Sequence, residues 1–134
     1  MRLTEESIYA RAPFAKTLGM RFPELSPHRV RAELTTGHEL STGGGNLHGG
    51  AIMSLSDVAG AVLAGLNVAD DHGWTTAEST TYFLRPLMGP SATAVATPIK
   101  VGRMLINVDI DVFDESGKHC SRTSQVIAVQ APRD

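Results

Sequence analysis

The strongest constraint on the fold is a long apolar segment that contains a single carboxylate. From Gly50 to Val68 most residues are apolar, and Asp57 is the only charged one. A segment of this length, rich in Ala and Leu, predicts one helix of about five turns that is apolar on almost all sides. Such a helix should be buried. A buried carboxylate is costly unless it is hydrogen-bonded or used in chemistry.

A glycine-rich approach, Asn46-Leu47-His48-Gly49-Gly50, leads directly into this helix. It leaves backbone N–H groups exposed at the helix start, where the helix dipole favours negative charge. An anion-stabilising helix start together with a carboxylate on the same element suits acyl transfer. The alternative is that Asp57 hydrogen-bonds Ser or Thr hydroxyls and only fixes packing.

Length and charge exclude several classes of protein. The 134 residues predict a single domain, 1–134, with an N-terminal helical segment over 1–19. The net charge of −2 provides no basic surplus for nucleic acid or an anionic membrane. The single cysteine, Cys120, fits a reducing compartment. No apolar signal core opens the chain, and Asp57 interrupts the apolar helix, so we expect a soluble, cytoplasmic protein.

The rest of the chain alternates between polar and apolar residues in a strand-like way. The helical pattern at the N-terminus is interrupted by Pro13 and ends at Gly19. One strand is predicted before the long helix and four after it, at 29–34, 74–84, 91–101, 104–113 and 119–130. The short connections 101–103 and 114–118 predict antiparallel hairpins. Pro98 predicts a sheet edge or a bulge.

This order of elements predicts an α+β fold: one strand, a long apolar helix and then a four-strand antiparallel meander. A flat sheet covers only one side of a helix, so the sheet must curl around it. The helix face that remains open would have to be covered by a partner chain.

Several motifs occur in the order found in one known family. His48-Gly49-Gly50 stands at the helix start, and Asp57 follows nine positions after His48. Further matches lie at 81–86, 100–103 and 112–118. Over about 29–130 the chain resembles the hotdog-fold acyl-CoA thioesterases, closest to the PaaI-like (phenylacetic acid degradation) type. The resemblance implies a curled antiparallel sheet wrapped around one long central helix, in a homodimer that pairs further into a homotetramer.

The resemblance also implies roles for individual residues. Gly49 would supply the N–H that binds the oxyanion, and Asp57 would act as nucleophile or general base. Thr75, with Thr76 beside it as the alternative register, would help to hold the water. The substrate would be an acyl-CoA thioester that is hydrolysed to the free acid and CoA. The identity of the acyl group stays open.

One position departs from the family pattern. Relatives often carry Asn six residues before the His, on the loop that orients the attacking water or the thioester. This chain has Thr42 there, and Asn46 is the candidate to replace that Asn. Arg85, Lys100 and Arg103 are candidates for contact with the CoA phosphates, or else they are solvated loop charges.

His48 has two interpretations. As a general base paired with Asp57 it would indicate a hotdog dehydratase or hydratase; as a structural residue, which we favour, it would fix the helix start. A third hypothesis is a non-catalytic acyl-CoA-binding module. The five His residues lack metal-ligand spacing, so we predict no metal. CoA is part of the substrate, and no other cofactor is expected.

The spacing of Gly49 and Asp57 bears on assembly. They are eight residues apart on one helix, or roughly 12 Å along its axis, so an Asp side chain cannot reach the Gly49 N–H. Both groups can act on one carbonyl only if they come from different helices. We therefore predict two antiparallel helices about a two-fold axis, with two sites per dimer. Gly60, Ala61 and Ala64 are the small residues expected to let the helices approach.

Overall fold

The computed structural model describes residues 1–132, which form one antiparallel sheet and one long helix packed on it. The N-terminal helices are α1 (Glu5–Arg11) and α2 (Pro13–Thr17), and the central helix is α3 (Gly49–Gly65). A 3-10 turn spans His38–Leu40. The strands are β1 (Arg21–Ser26), β2 (Arg29–Thr35), β3 (Gly73–Phe83), β4 (Ser91–Val101), β5 (Leu105–Asp114) and β6 (His119–Gln130).

The six strands follow the order β1-β2-β4-β5-β6-β3, and every neighbouring pair is antiparallel. The sheet curls around α3, which packs against β2, β3, β4, β5 and β6. The fold class predicted from the sequence, a hotdog fold with a curled sheet around one central helix, is confirmed. Both predicted hairpins are present, and the register of β4 against β5 shifts between Pro98 and Lys100.

Two features of the sheet differ from the prediction. The four-strand meander is wrong, because β3 pairs with β6 and not with β4, which leaves β3 at the sheet edge. Only β4, β5 and β6 form a meander. In addition, β1 was not predicted. It contains Pro23, which cannot donate to a strand ladder and is tolerated at an edge strand such as this one.

The N-terminal segment behaves as predicted. The Thr4 side chain caps α1 by accepting from the Ser7 N–H. Pro13 divides the segment because it fits the first turn of α2 but could not continue α1. Gly19 follows α2 with a φ of 73°, a left-handed conformation that glycine adopts without strain.

The central helix buries most of its surface but leaves one stripe open. Gly50, Met53 and Asp57 are exposed along this stripe, and Ala61 continues it half-buried. Gly60 and Ala64 are buried within the chain, so the prediction that they line a helix–helix contact is wrong. The expectation of a buried Asp57 is also wrong for the single chain. Within the described residues, no helix combines the length and apolar character needed to cross a membrane.

Candidate active site

His48 caps the start of α3. Its Nδ1 accepts a hydrogen bond from the Gly50 N–H at 2.8 Å. A Cβ on Gly50 would lie 3.0 Å from that nitrogen, so the glycine leaves room for the ring. Because the Nδ1 lone pair is occupied, the neutral ring carries its proton on Nε2. The structure therefore places His48 in the structural role favoured from the sequence.

The Gly49 N–H is the first amide of the helix, and within residues 1–132 it has no hydrogen-bond acceptor. The Phe83 ring lies over Gly49, 3.4 Å from the position a Cβ would take. A cavity of about 380 Å³ opens here, lined in part by Asn46, Gly49 and Arg85. An unpaired amide at the positive end of a helix dipole is a ready donor to a developing oxyanion.

Thr42 and Asn46 interact directly. The Thr42 hydroxyl donates to Asn46 Oδ1 at 3.0 Å, and the Thr42 N–H donates to the Asn46 carbonyl at 2.9 Å. This pair fixes the Asn46 amide with its oxygen occupied, and among residues 1–132 the Nδ2 group has no acceptor. Asn46 lines the same cavity as Gly49, and its role as the replacement for the usual Asn stays a prediction.

The Asp57 carboxylate is held by two donors on the same oxygen. The Thr76 hydroxyl donates to Oδ1 at 2.8 Å, and Gln125 Nε2 donates to Oδ1 at 2.5 Å. Within the described part of the chain, Oδ2 has no partner. Thr76, rather than Thr75, is brought to Asp57, because adjacent strand residues point to opposite faces. Thr75 is exposed.

Gln125 is the site residue that sequence reasoning missed. It lies on β6 with 1% of its surface exposed, and its Nε2 also lies 2.8 Å from Thr76 Oγ1. The available signal was its position on the inward face of β6, in phase with the buried residues Thr123 and Ile127. A polar side chain at an inward position of an alternating strand requires a partner in the core.

A second cavity, of about 430 Å³, adjoins Asp57. It lies between α1, α3 and the start of β3. Its walls are mostly apolar and include Ile8, Val58, Ala61 and Trp74. Arg11 lies 5.3 Å above the centre of the Trp74 ring, at a distance suited to a cation–π contact. Asp57 therefore borders a mostly apolar space.

The structure does not bring all the predicted site residues together in one chain. Gly49, Asn46 and Arg85 line one cavity, and Asp57 lines the other. The strand registers place Arg85 beside Cys120, and Arg103 at the far end of the sheet beyond Leu105. These ends are roughly 30 Å apart at about 3.3 Å per strand residue. Lys100, on β4, lies at the same end as Arg103.

No group of three or more His, Cys, Asp or Glu side chains suited to a metal ion occurs among residues 1–132. The predicted independence from cofactors stays a prediction.

A hotdog fold with a free amide at the start of its central helix and a carboxylate two turns later is the arrangement that the resemblance to hotdog thioesterases implies. The family model of the thioesterase superfamily matches residues 44–121, more than half of the chain. The protein therefore belongs to the thioesterase superfamily. The prediction of a thioester hydrolase is confirmed at the level of the family.

Two curated relatives carry the name "Putative esterase". One, from Deinococcus radiodurans, is 38% identical over 74% of this chain and 66% of its own length. The other, from Saccharolobus solfataricus, is 33% identical over 84% of this chain and 81% of its own length. The matched segment thus spans just under two thirds of the first relative.

Solved structures share the fold over almost the whole chain. A thioesterase of Haemophilus influenzae superposes with a TM-score of 0.92 at 23% identity, covering 100% of this chain and 95% of the other. A mutant thioesterase of Pseudomonas aeruginosa gives 0.88 at 26% identity over 97% and 96%. The PaaI protein of E. coli, from the phenylacetic acid degradation operon, gives 0.83 at 22% identity over 92% and 88%. At this identity the likeness to PaaI shows a shared fold.

Proposed function

We propose that this protein hydrolyses acyl-CoA thioesters to the free acid and CoA. The observation that carries the proposal is the Asp57 carboxylate, whose Oδ1 is held by Thr76 and Gln125. Within the described residues Oδ2 has no partner, and Asp57 lines a mostly apolar cavity. A carboxylate fixed in this way can activate a water or attack a thioester itself.

The reaction needs a hydrogen-bond donor that stabilises the oxyanion as well as a base. The Gly49 N–H binds the thioester carbonyl oxygen and stabilises the negative charge that develops on it. One such donor contributes about 3–4 kcal/mol to the transition state. Asp57 either takes a proton from the attacking water or forms a mixed anhydride that water then hydrolyses. In both routes the C–S bond breaks and CoA leaves as the thiol after protonation.

Both groups act on one carbonyl only across a dimer. In α3 they are roughly 12 Å apart along the axis. The open stripe of Gly50, Met53 and Asp57 supports a second α3 lying antiparallel on this one. The free edge of β3 supports the same assembly, because an unpaired strand edge can pair with another chain. The proposed active unit is a homodimer with two equal sites, and two such dimers would form the tetramer.

In the same assembly the basic residues of the two chains lie close together. Arg85 lies at the end of the sheet near Gly49, and Lys100 and Arg103 lie at the other end. An antiparallel dimer brings the Arg85 end of one chain to the Arg103 end of its partner. The proposed binding site for the CoA phosphates therefore combines Arg85 from one chain with Lys100 and Arg103 from the other. The apolar cavity beside Asp57 would take the acyl group.

The proposal is tested by measuring free thiol release over a panel of acyl-CoA esters. Asp57→Asn keeps the shape of the side chain but removes the base. It should lower turnover about 100- to 10,000-fold. The matched control is Asp109→Asn, since Asp109 on β5 hydrogen-bonds Ser124 on the face of the sheet opposite to Gln125. Near-normal turnover by folded Asp57→Asn protein would overturn the assignment.

A further inference from the structure

We propose that Gln125 is a positioning residue for Asp57, which rests on the proposed function of that carboxylate. Gln125 comes from β6, the last strand along the chain, 68 residues away in sequence, and reaches through the core to Asp57. Its Nε2 hydrogen-bonds both Asp57 Oδ1 and Thr76 Oγ1. Gln125 itself, being buried beneath the carboxylate, does not contact the substrate.

The burial of Gln125 argues against a role in packing alone. The side chain is 1% exposed, and within residues 1–132 its Oε1 has no hydrogen-bond partner. A buried carbonyl oxygen without a partner destabilises the fold, and an apolar side chain of similar size would avoid this cost. The amide is therefore explained by what its nitrogen does for Asp57.

Gly60 makes room for this amide. A Cβ at Gly60 would lie 2.0 Å from Gln125 Oε1, so any side chain there would displace the glutamine. Glycine in the middle of a helix is less favourable than alanine. Gly60 lies one turn after Asp57 in α3. Two locally unfavourable residues thus meet at one point, and together they allow the amide to reach the carboxylate.

The two donors on Oδ1 fix the rotation of the carboxylate and leave Oδ2 free. The charged group that shares the Asp57 cavity is Arg11 of α1, while the side chains that bind the carboxylate from β3 and β6, Thr76 and Gln125, are uncharged. Loss of the amide should therefore let the carboxylate rotate and lower turnover.

The first test compares Gln125→Met with Thr123→Val. Met resembles Gln in size but cannot donate. Thr123→Val removes another buried polar group on the same face of β6, one that bonds Thr81 rather than Asp57. We expect Gln125→Met to lower kcat about 10- to 100-fold with KM changed less than about threefold. Thr123→Val should change neither.

Two further variants test the same contact if Gln125→Met does not fold. Gln125→Glu puts a second carboxyl beside Asp57, and the pair would share a proton, so the acid limb should move to higher pH. In the wild-type background, where Gln125 is present, Gly60→Ala should lower kcat. In a Gln125→Ala background, Gly60→Ala should have little further effect, because the amide it displaces is gone.

The outcomes separate this inference from the proposed function. If Asp57→Asn abolishes turnover while Gln125→Met matches Thr123→Val in kcat and KM, the positioning role is overturned and the thioesterase proposal stands. Equal effects of Gly60→Ala in both backgrounds, or an unmoved acid limb in Gln125→Glu, would also overturn it. If Asp57→Asn retains turnover, both proposals fail.

Discussion

At the scale of single residues, the hydrogen bond between the Gly50 N–H and His48 Nδ1 bears on whether the site suits dehydration or thioester hydrolysis. A hotdog dehydratase or hydratase would need the imidazole as a base. Here one ring nitrogen accepts from the backbone at 2.8 Å and the other carries the proton, which leaves no lone pair for catalysis. The capping bond also orients the first turn of α3, including the Gly49 amide. The geometry thus favours hydrolysis over dehydration.

This interpretation predicts that an asparagine can replace His48. Asn is a good N-cap and can accept from the Gly50 N–H. His48→Asn should keep turnover within about tenfold, whereas His48→Ala should lower the free energy of unfolding by about 1 kcal/mol and reduce turnover more. Thermal unfolding and thiol release measure the two effects. A loss of turnover above 100-fold in well-folded His48→Asn protein would show that the imidazole acts as a base.

The positions of the candidate site residues were predictable where the signal is local. Gly49, Asn46 and Asp57 were proposed from the motif and the family resemblance, and the structure places them on the helix or the loop expected. Their roles in the reaction stay predictions. The Thr75 prediction shifted by one residue, because the face of a strand reverses at every position. Gln125 could not be found from a motif, since its partner lies 68 residues away and depends on how the sheet closes.

At the scale of secondary structure, a charged cluster joins β5 to β6. Asp111 lies opposite Arg122 in the strand register, and Arg122 donates two hydrogen bonds to its carboxylate at 2.8 and 2.9 Å. His119 lies 2.7 Å from the same carboxylate. The Arg122 guanidinium, aided by His119, holds the pKa of Asp111 below its ordinary value, and partial burial opposes this shift.

The lowered pKa of Asp111 predicts how stability depends on pH. Its contribution is complete above the unfolded-state pKa of about 3.9 and is lost as pH falls through the lower folded-state value. Arg122 is half exposed, so Arg122→Gln should lower the free energy of unfolding by only about 1 kcal/mol at pH 7. Urea titrations should show this difference shrinking below about pH 4. A difference that persists at pH 2 would contradict the assignment, and Asp111→Asn should lack this part of the acid dependence.

The elements themselves were largely predictable, and their order in the sheet was not. The hairpins formed at 101–103 and 114–118 were correct because a short connection forces neighbours to pair. The connection from β3 to β4 runs over 84–90 and allows β3 to cross to the far edge beside β6. β1 escaped prediction because Phe22 is its only fully buried side chain, so the strand lacks an alternating pattern.

At the scale of the whole molecule, the proposed dimer requires that a single chain present two half-sites. The Gly49 amide lies near the end of β3, and Asp57 lies nearer its start. The exposed stripe on α3 and the free edge of β3 lie on the side where these half-sites open. Tyr82 and Phe83, at the end of β3, are 65% and 53% exposed and supply apolar surface for a partner.

The shared site predicts complementation between two inactive variants. Asp57→Ala removes the base. Gly49→Val obstructs the oxyanion donor, because a Cβ at this position would lie 3.4 Å from the Phe83 ring and the two further methyl groups of Val would need additional space. In a mixed dimer both lesions fall in one of the two sites, and the other site is intact. Exchanged heterodimers, purified with two different tags, should therefore recover about half of the wild-type turnover per dimer. The control is each variant exchanged with itself, which should stay inactive while circular dichroism shows a folded chain. Inactive heterodimers, or activity that sediments as a monomer, would show that one chain holds a complete site.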